Sequence, residues 1–524
     1  MLLDYVVVGA GVAGLRAAIE LGGGGRVLVL AKGACSAAGA RPGEDDEIGL
    51  HEPDTLRAGE GLCNPDAVKA LVEDGPDRLR ELIAWGAKLD HAGAKPGHNH
   101  EGARDRRNRG IPAQGDTASA EIRRVLLARA GSLKSISLRR QAFATELTFT
   151  TAAGGRVTGI RYLDESCGRM AELECRAVVL ATGGLGQAFR ETTSPAAATG
   201  DGMAIGYRAG AALADMEFVQ FHPTALAVKG APPLPLPEAL RAEGAVLRNA
   251  MLERFMPHYH ETAELAPAGV LCRAIVSEMR RTRAGYVYLD ATGLGEAFVA
   301  KRFPRLHAAC MKHGLDLTAD LAPVGPAAHY AIGGLKTDLF GRTTLTGLYA
   351  AGETASTGVH GANRAAGNSL LEGLVFGARA GKAALEDAPA KAAPAKRAVA
   401  ARQPKRPAKE ARESDAAPEA EVRDPLRERI RAVLWQRAGV LREGRELARA
   451  IEQLASMEVS RPAAPSRRAW ELYNLWTVAQ VISRSALARE ESRGSHYRAD
   501  FPYPDEERFA RHSVASCEGG VRFE

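Results

Sequence analysis

The sequence predicts an α/β fold, with a Rossmann-like dinucleotide-binding domain, an inserted α+β capping domain and a C-terminal helical bundle. Three observations predict it: a glycine turn between a strand and a helix at the N-terminus, two later strand-then-glycine segments, and helical periodicity beyond residue 425. Tyr5–Val8 is an apolar run of the β type, and Gly9-Ala10-Gly11-Val12-Ala13-Gly14 follows at once. A helical stretch, Leu15–Leu21, and a second short strand, Arg26–Leu30, come next. This order suits a dinucleotide, because glycines permit the tight turn and amides at the helix N-terminus hydrogen-bond a pyrophosphate. The second strand ends Leu30-Ala31-Lys32, where a ribose-binding acid is expected.

The segments 177–184 and 347–353 each run a buried-type strand into a glycine turn. Three such turns spaced along the chain predict one domain assembled from residues 1–221 and 330–385, with 222–329 inserted as a capping and substrate domain. From Pro389 to Arg412 nearly every residue is Ala, Pro, Lys or Arg. Such a composition cannot offset its ordering entropy, so 386–424 reads as a disordered linker. Beyond it, Leu426, Ile430, Val433 and Leu434 recur at helical spacing, as do Leu472, Leu475, Ala479, Ile482 and Ala486. With Pro462 and Pro465 between them, two long helices are expected in a C-terminal helical domain and tail, 425–524, with Trp435 and Trp476 in its core.

A length of 524 residues allows about three domains. Hydrophobic residues at 45% and charged residues at 25% exclude a fibrous or wholly disordered chain. The net charge is +6, but residues 389–412 alone carry +7, so the rest is near neutral and no nucleic-acid partner is expected. Seven cysteines without a C-x-x-C pair argue for a reducing cytoplasm rather than a disulfide framework. The N-terminus has no basic leader region, and no stretch reaches roughly 18 apolar residues, so neither a secretory leader nor a membrane span is expected. His91, His98 and His100 share a Gly- and Pro-containing segment without a completing ligand set, and a polar loop is expected there, not a metal site.

His222, His329 and Arg364 offer cationic or donating groups beside glycine or proline turns, of the kind that place side chains at a domain crevice. An arginine grips a carboxylate bidentately and so fixes its plane. The three stand in Glu217-Phe218-Val219-Gln220-Phe221-His222-Pro223-Thr224, in Pro326-Ala327-Ala328-His329-Tyr330-Ala331-Ile332-Gly333-Gly334, and in His360-Gly361-Ala362-Asn363-Arg364, which runs on to Asn368-Ser369-Leu370-Leu371-Glu372. With Thr199-Gly200-Asp201-Gly202 and Glu491-Ser492-Arg493-Gly494, these segments closely resemble the succinate dehydrogenase and fumarate reductase flavoprotein family over almost the whole chain, and within it the branch that oxidises L-aspartate.

The resemblance implies FAD, contacted by Gly9, Ala10, Gly11, Val12, Ala13, Gly14, Lys32, Thr182, Gly183, Asp201, Glu353, Ser369 and Leu370. It implies that His222, His329 and Arg364 clamp the substrate carboxylates, that Glu238 belongs to the catalytic set, and that Glu101 faces the substrate amino group. The implied reaction is FAD-dependent oxidation of L-aspartate to iminoaspartate, with oxygen or fumarate as acceptor and the imine feeding quinolinate synthase and NAD biosynthesis. Two alternatives are a soluble fumarate reductase or succinate oxidase, and a paralogue that binds FAD or a dicarboxylate without turnover.

Three positions depart from the family. Ala268 stands in Ala266-Pro267-Ala268-Gly269 where the family has a proton-transferring arginine. Pro237 precedes Glu238 where the family has threonine, and Cys35–Leu50 replaces the loop that wraps the flavin ring. That replacement also lacks the histidine that tethers FAD in succinate dehydrogenases, so FAD is expected to be non-covalent. A positioned general acid or base is worth about 10²–10⁴-fold in rate, roughly 3–5 kcal/mol. Arg241 and Arg273 match arginines the family has alongside the missing one, and neither is expected to replace it.

Overall fold

A computed structural model of the protein describes residues 3–33, 51–89, 118–150, 155–389 and 424–524. Its central sheet is parallel, with strands in the order Leu348–Ala350, Ala177–Leu180, Tyr5–Val8, Val27–Leu30 and Ile136–Arg139. The strands that the sequence separates by about 170 residues are therefore neighbours. Val8 is level with Leu30 and with Leu180, and Leu180 with Ala350. All three glycine turns consequently open at the carboxyl edge of one sheet, where an open α/β fold binds its ligand. The helix Val12–Leu21 leaves the first turn and packs on the long helix Asn368–Asp387. Their approach is close: a β-carbon at Gly377 would lie 2.6 Å from the Ala13 carbonyl oxygen.

The inserted region is built on an antiparallel sheet of Val246–Arg248, Val287–Asp290, Ala322–Ala331 and Val219–Leu226, in that order. The helix Ala268–Thr282 packs on it through Leu271, Ala274 and Ile275, which share a core with Leu226, Leu289 and Val324. The two strands that flank the insertion in sequence, Val219–Leu226 and Ala322–Ala331, pair with each other antiparallel.

The C-terminal domain departs from the expected helix pair. Three long helices form, Pro425–Arg437, Gly444–Ala455 and Arg467–Ala488, with a single turn at Glu506–Phe509. The break after Arg437 is made by Arg442, which is 1% exposed and donates to the carbonyls of Ala438 and Gly439, ending the first helix. Trp435 and Trp476 are half-buried rather than central, and Trp476 Nε1 donates to the Leu454 carbonyl at 2.7 Å. The tail is a β-hairpin, Ser513–Ser516 with Gly520–Phe523, and it extends a sheet containing Leu213–Ala214 and Gly334–Lys336. Among the described residues no helix is long and apolar enough to cross a membrane, and no three His, Cys, Asp or Glu side chains are grouped to hold a metal ion.

Candidate active site

A cavity of about 600 Å³ follows the carboxyl edge of the parallel sheet from Lys32 to His329. Gly9, Ala10, Gly11, Val12, Ala13, Lys32, Thr182, Gly183, Asp201, Glu353, Ser369 and Leu370 all line it. Gly14 does not; a β-carbon there would lie 2.0 Å from the Gly9 carbonyl oxygen, so its task is to let helix and turn approach. Gly9 has φ +113°, and a β-carbon on it would lie 2.0 Å from the Ala181 carbonyl oxygen. At Gly11, by contrast, a β-carbon would meet nothing within 4 Å. No side chain caps the helix that starts there, and no acidic residue sits in its first turn. Space and unopposed amides together suit the pyrophosphate of a dinucleotide.

Two charged residues of the cavity wall, Lys32 and Asp201, are tied to each other. Lys32 Nζ reaches Asp201 Oδ2 at 2.6 Å, Thr199 Oγ1 at 2.7 Å and Glu471 Oε1 at 3.2 Å. Asp201 also accepts from Asn474 Nδ2 at 2.8 Å, so this wall joins the second strand to the C-terminal helix Arg467–Ala488. Thr182 Oγ1 accepts from the Gly202 amide at 2.9 Å, and Glu353 Oε1 from the Ala331 amide at 2.9 Å. Ser119, Arg123 and Phe143 line the cavity as well, and no sequence motif marked them.

At the other end of the cavity the two flanking strands present the histidines. His222 pairs with Ala327 across the ladder, and its ring centroid is 5.5 Å from that of His329. His222 Nδ1 accepts from the Thr224 amide at 3.2 Å, which leaves its proton on Nε2. His329 Nδ1 lies 2.7 Å from Thr193 Oγ1. Side chains alternate along a strand, so Gln220, His222 and Thr224 share a face. Gln220 Oε1 accepts from Arg364 Nε at 3.2 Å, and Thr224 Oγ1 accepts from Arg241 Nη1 at 2.9 Å. One strand face thus links Arg364, His222 and Arg241. Arg241 also donates to the Glu264 carbonyl, and burial pushes its guanidinium below the usual arginine value. Glu238, exposed, opens the short helix Glu238–Ala242 one turn ahead of Arg241.

Ala268 begins its helix beside the loop that carries Arg364. A β-carbon on Gly269 would lie 3.4 Å from Arg273 Nη1 and 3.6 Å from the Gly494 carbonyl oxygen. Gly494 in turn abuts Ala362, whose carbonyl accepts from the Ser495 amide and hydroxyl, both at 3.0 Å. Arg273 stacks on Tyr497 at 4.6 Å. The C-terminal segment 489–498 is anchored below by Arg489, which meets Glu217 and Glu491 at 2.6 and 2.8 Å with all three fully buried. Glu101, the three histidines His91, His98 and His100, the segment Cys35–Leu50 and most of the basic linker lie outside the described residues.

Residues 4–370 match the family model for an FAD binding domain, and residues 427–524 match that for the fumarate reductase flavoprotein C-term. The chain is 42% identical to the L-aspartate oxidase of Streptomyces coelicolor, over 98% of this chain and 91% of that one. It is 40% identical to the L-aspartate oxidase of Caulobacter vibrioides, over 95% of this chain and 94% of that one. Among solved structures it superimposes on FrdA of E. coli quinol fumarate reductase with a TM-score of 0.82 at 27% identity, covering 100% of this chain and 96% of that one. For Mycobacterium smegmatis Sdh1 the TM-score is 0.81 at 30% identity, covering 100% and 94%. The chain therefore belongs to the L-aspartate oxidase branch of the succinate dehydrogenase and fumarate reductase flavoproteins, with FAD as its cofactor.

Proposed function

We propose that the protein oxidises L-aspartate to iminoaspartate with FAD bound non-covalently along the sheet edge. The observation that supports this reading is that His329, in the wall of the cavity lined by the glycine turn, lies 5.5 Å from His222, while Gln220 on the His222 strand face accepts from Arg364. Bound FAD supplies the two-electron acceptor, and the protein supplies orientation, charge and exclusion of water. Arg364 takes one substrate carboxylate. His222 donates from Nε2 to the other, its tautomer fixed by the Thr224 amide, and His329 is oriented by Thr193. Arg241, at the far end of the same strand face, adds positive charge that draws the dicarboxylate in. Glu238 belongs to this catalytic set, and Glu101 faces the substrate amino group. Gly9 to Ala13 with Lys32, Thr182, Gly183, Asp201, Glu353, Ser369 and Leu370 hold the cofactor, and Gly14 lets the helix approach the turn.

Oxygen or fumarate is the terminal acceptor, and the imine passes to a quinolinate synthase for NAD biosynthesis in the cytoplasm. Ala268 gives turnover below that of an enzyme with arginine there, by about 10²–10⁴-fold for a lost proton-transfer group. Adding L-aspartate without oxygen to the purified, FAD-loaded protein bleaches the flavin absorbance; a spectrum left unchanged by L-aspartate but bleached by succinate selects succinate oxidation instead. Ala268→Arg is expected to raise kcat, and a variant with no gain points to a protein that binds its ligands without using this position for proton transfer.

A further inference from the structure

Between the cofactor cavity and Arg364 stands Tyr330. It follows His329 on the strand Ala322–Ala331, lines the cavity, and carries the Arg364 guanidinium 4.6 Å from its ring centroid. Its hydroxyl donates to Glu372 Oε2 at 2.8 Å. Glu372, on the helix Asn368–Asp387 and 1% exposed, also accepts from Thr357 Oγ1 at 2.6 Å and lies 3.1 Å from His360 Nε2. His360 meets Tyr330 edge-on, with centroids 5.5 Å apart. Burial works to raise the Glu372 carboxyl, but His360 and the two hydroxyl donors outweigh it and hold the group below its ordinary range. The phenol is therefore bonded to an anion, which leaves its ring face richer in electrons toward the cation above it.

A bidentate carboxylate contact demands that the plane of the guanidinium be set before the substrate arrives. Gln220 Oε1 accepts from Nε at 3.2 Å at the edge of the guanidinium, and the Tyr330 ring bears on its face. We propose that Tyr330 is the positioning residue for Arg364: its ring, locked at the hydroxyl by Glu372, sets the plane in which the guanidinium meets a substrate carboxylate. The proposal rests on Arg364 as a carboxylate clamp. It assigns the cluster of Glu372, Thr357 and His360 the task of holding that ring.

The experiment titrates fumarate, a dicarboxylate with no hydride to give, into the FAD-loaded protein and follows the perturbation of the flavin absorbance, with the FAD dissociation constant measured in parallel. Tyr330→Leu is expected to weaken fumarate binding roughly 10- to 30-fold, as loss of a desolvated cation–π contact does, while FAD affinity stays within about threefold. Tyr330→Phe and Glu372→Gln keep the ring and are expected to cost no more than about threefold each. Glu372→Gln is expected to add nothing in the Tyr330→Leu background, because the carboxylate acts through the ring.

Equal losses in the Phe and Leu variants, or Leu binding fumarate as the unmodified protein does, overturn the proposal. So does additivity of the Leu and Gln changes. If Tyr330→Leu does not fold, the Phe and Gln variants decide: a fumarate loss in either that merely tracks a loss of FAD affinity overturns it. Arg364→Leu separates the two readings, since undiminished fumarate binding there removes the clamp itself, whereas a loss confined to Arg364→Leu removes only the role of Tyr330.

Discussion

The cofactor cavity and the substrate crevice meet at His329 and Tyr330, yet they are made of different materials. The cavity is largely backbone: glycine turns after Val8 and Leu180, the amides of one helix, and a sheet edge levelled by parallel pairing. The crevice is made of side chains drawn from two cap-sheet strands, the 360–364 loop and, through Gly494 and Ser495, the C-terminal domain. A backbone-made site tolerates change in most side chains but not in its glycines. A side-chain site reverses that, and its precision depends on whatever locks each rotamer.

Gly9→Ala breaks the first kind of site most severely. The added carbon would collide with Ala181 at a positive φ, costing roughly 3 kcal/mol or more; thermal denaturation and the FAD-to-protein ratio are both expected to collapse. Arg364→Leu tests the second kind: kcat/KM for L-aspartate falls by about 2–5 kcal/mol in transition-state binding, whereas FAD content and melting temperature hold. Gly11→Ala sharpens the contrast within the cavity. Its carbon meets only open space, so the fold is unchanged while FAD binds about tenfold more weakly, read by flavin fluorescence.

A pH-dependent effect lies in the C-terminal segment that carries His496. Burial, with Arg442 and Arg489 nearby, holds His496 well below the ordinary histidine value, and its Nδ1 accepts from Arg442 at 2.6 Å. The unfolded chain takes up a proton near pH 6.5 that the folded chain refuses, so stability falls as pH drops below about 6.5, by at most about 1.4 kcal/mol per unit. Denaturant titrations at pH 7 and pH 5 are expected to show this loss, and His496→Gln to lessen it.

The first strand, its glycine turn and its helix were legible because they are contiguous and their signal is local. His222, His329 and Arg364 were legible from their motifs, although nothing in those motifs says that their rings and guanidinium converge. Tyr330 and Glu372 lie inside the motifs of His329 and Arg364 without a signal of their own, since a tyrosine next to a histidine carries no pattern until Arg364 stacks on it. Arg123 and Phe143 reached the cavity wall from 118–132 and 142–149 without any motif. The break after Arg437 escaped the periodicity because a buried arginine, not a proline, ends that helix.

By itself the sequence determined the local chemistry: where the chain turns on glycine, which residues bear charge, and that Ala268 has no proton to transfer. Pairing decided the rest. Three glycine turns became one cavity because Val8, Leu180 and Ala350 lie level across a parallel sheet. Gln220, His222 and Thr224 became one row because the strand alternates and its partner fixes the register. Those are relations between distant segments, set by which faces bury best together, and no single segment contains them.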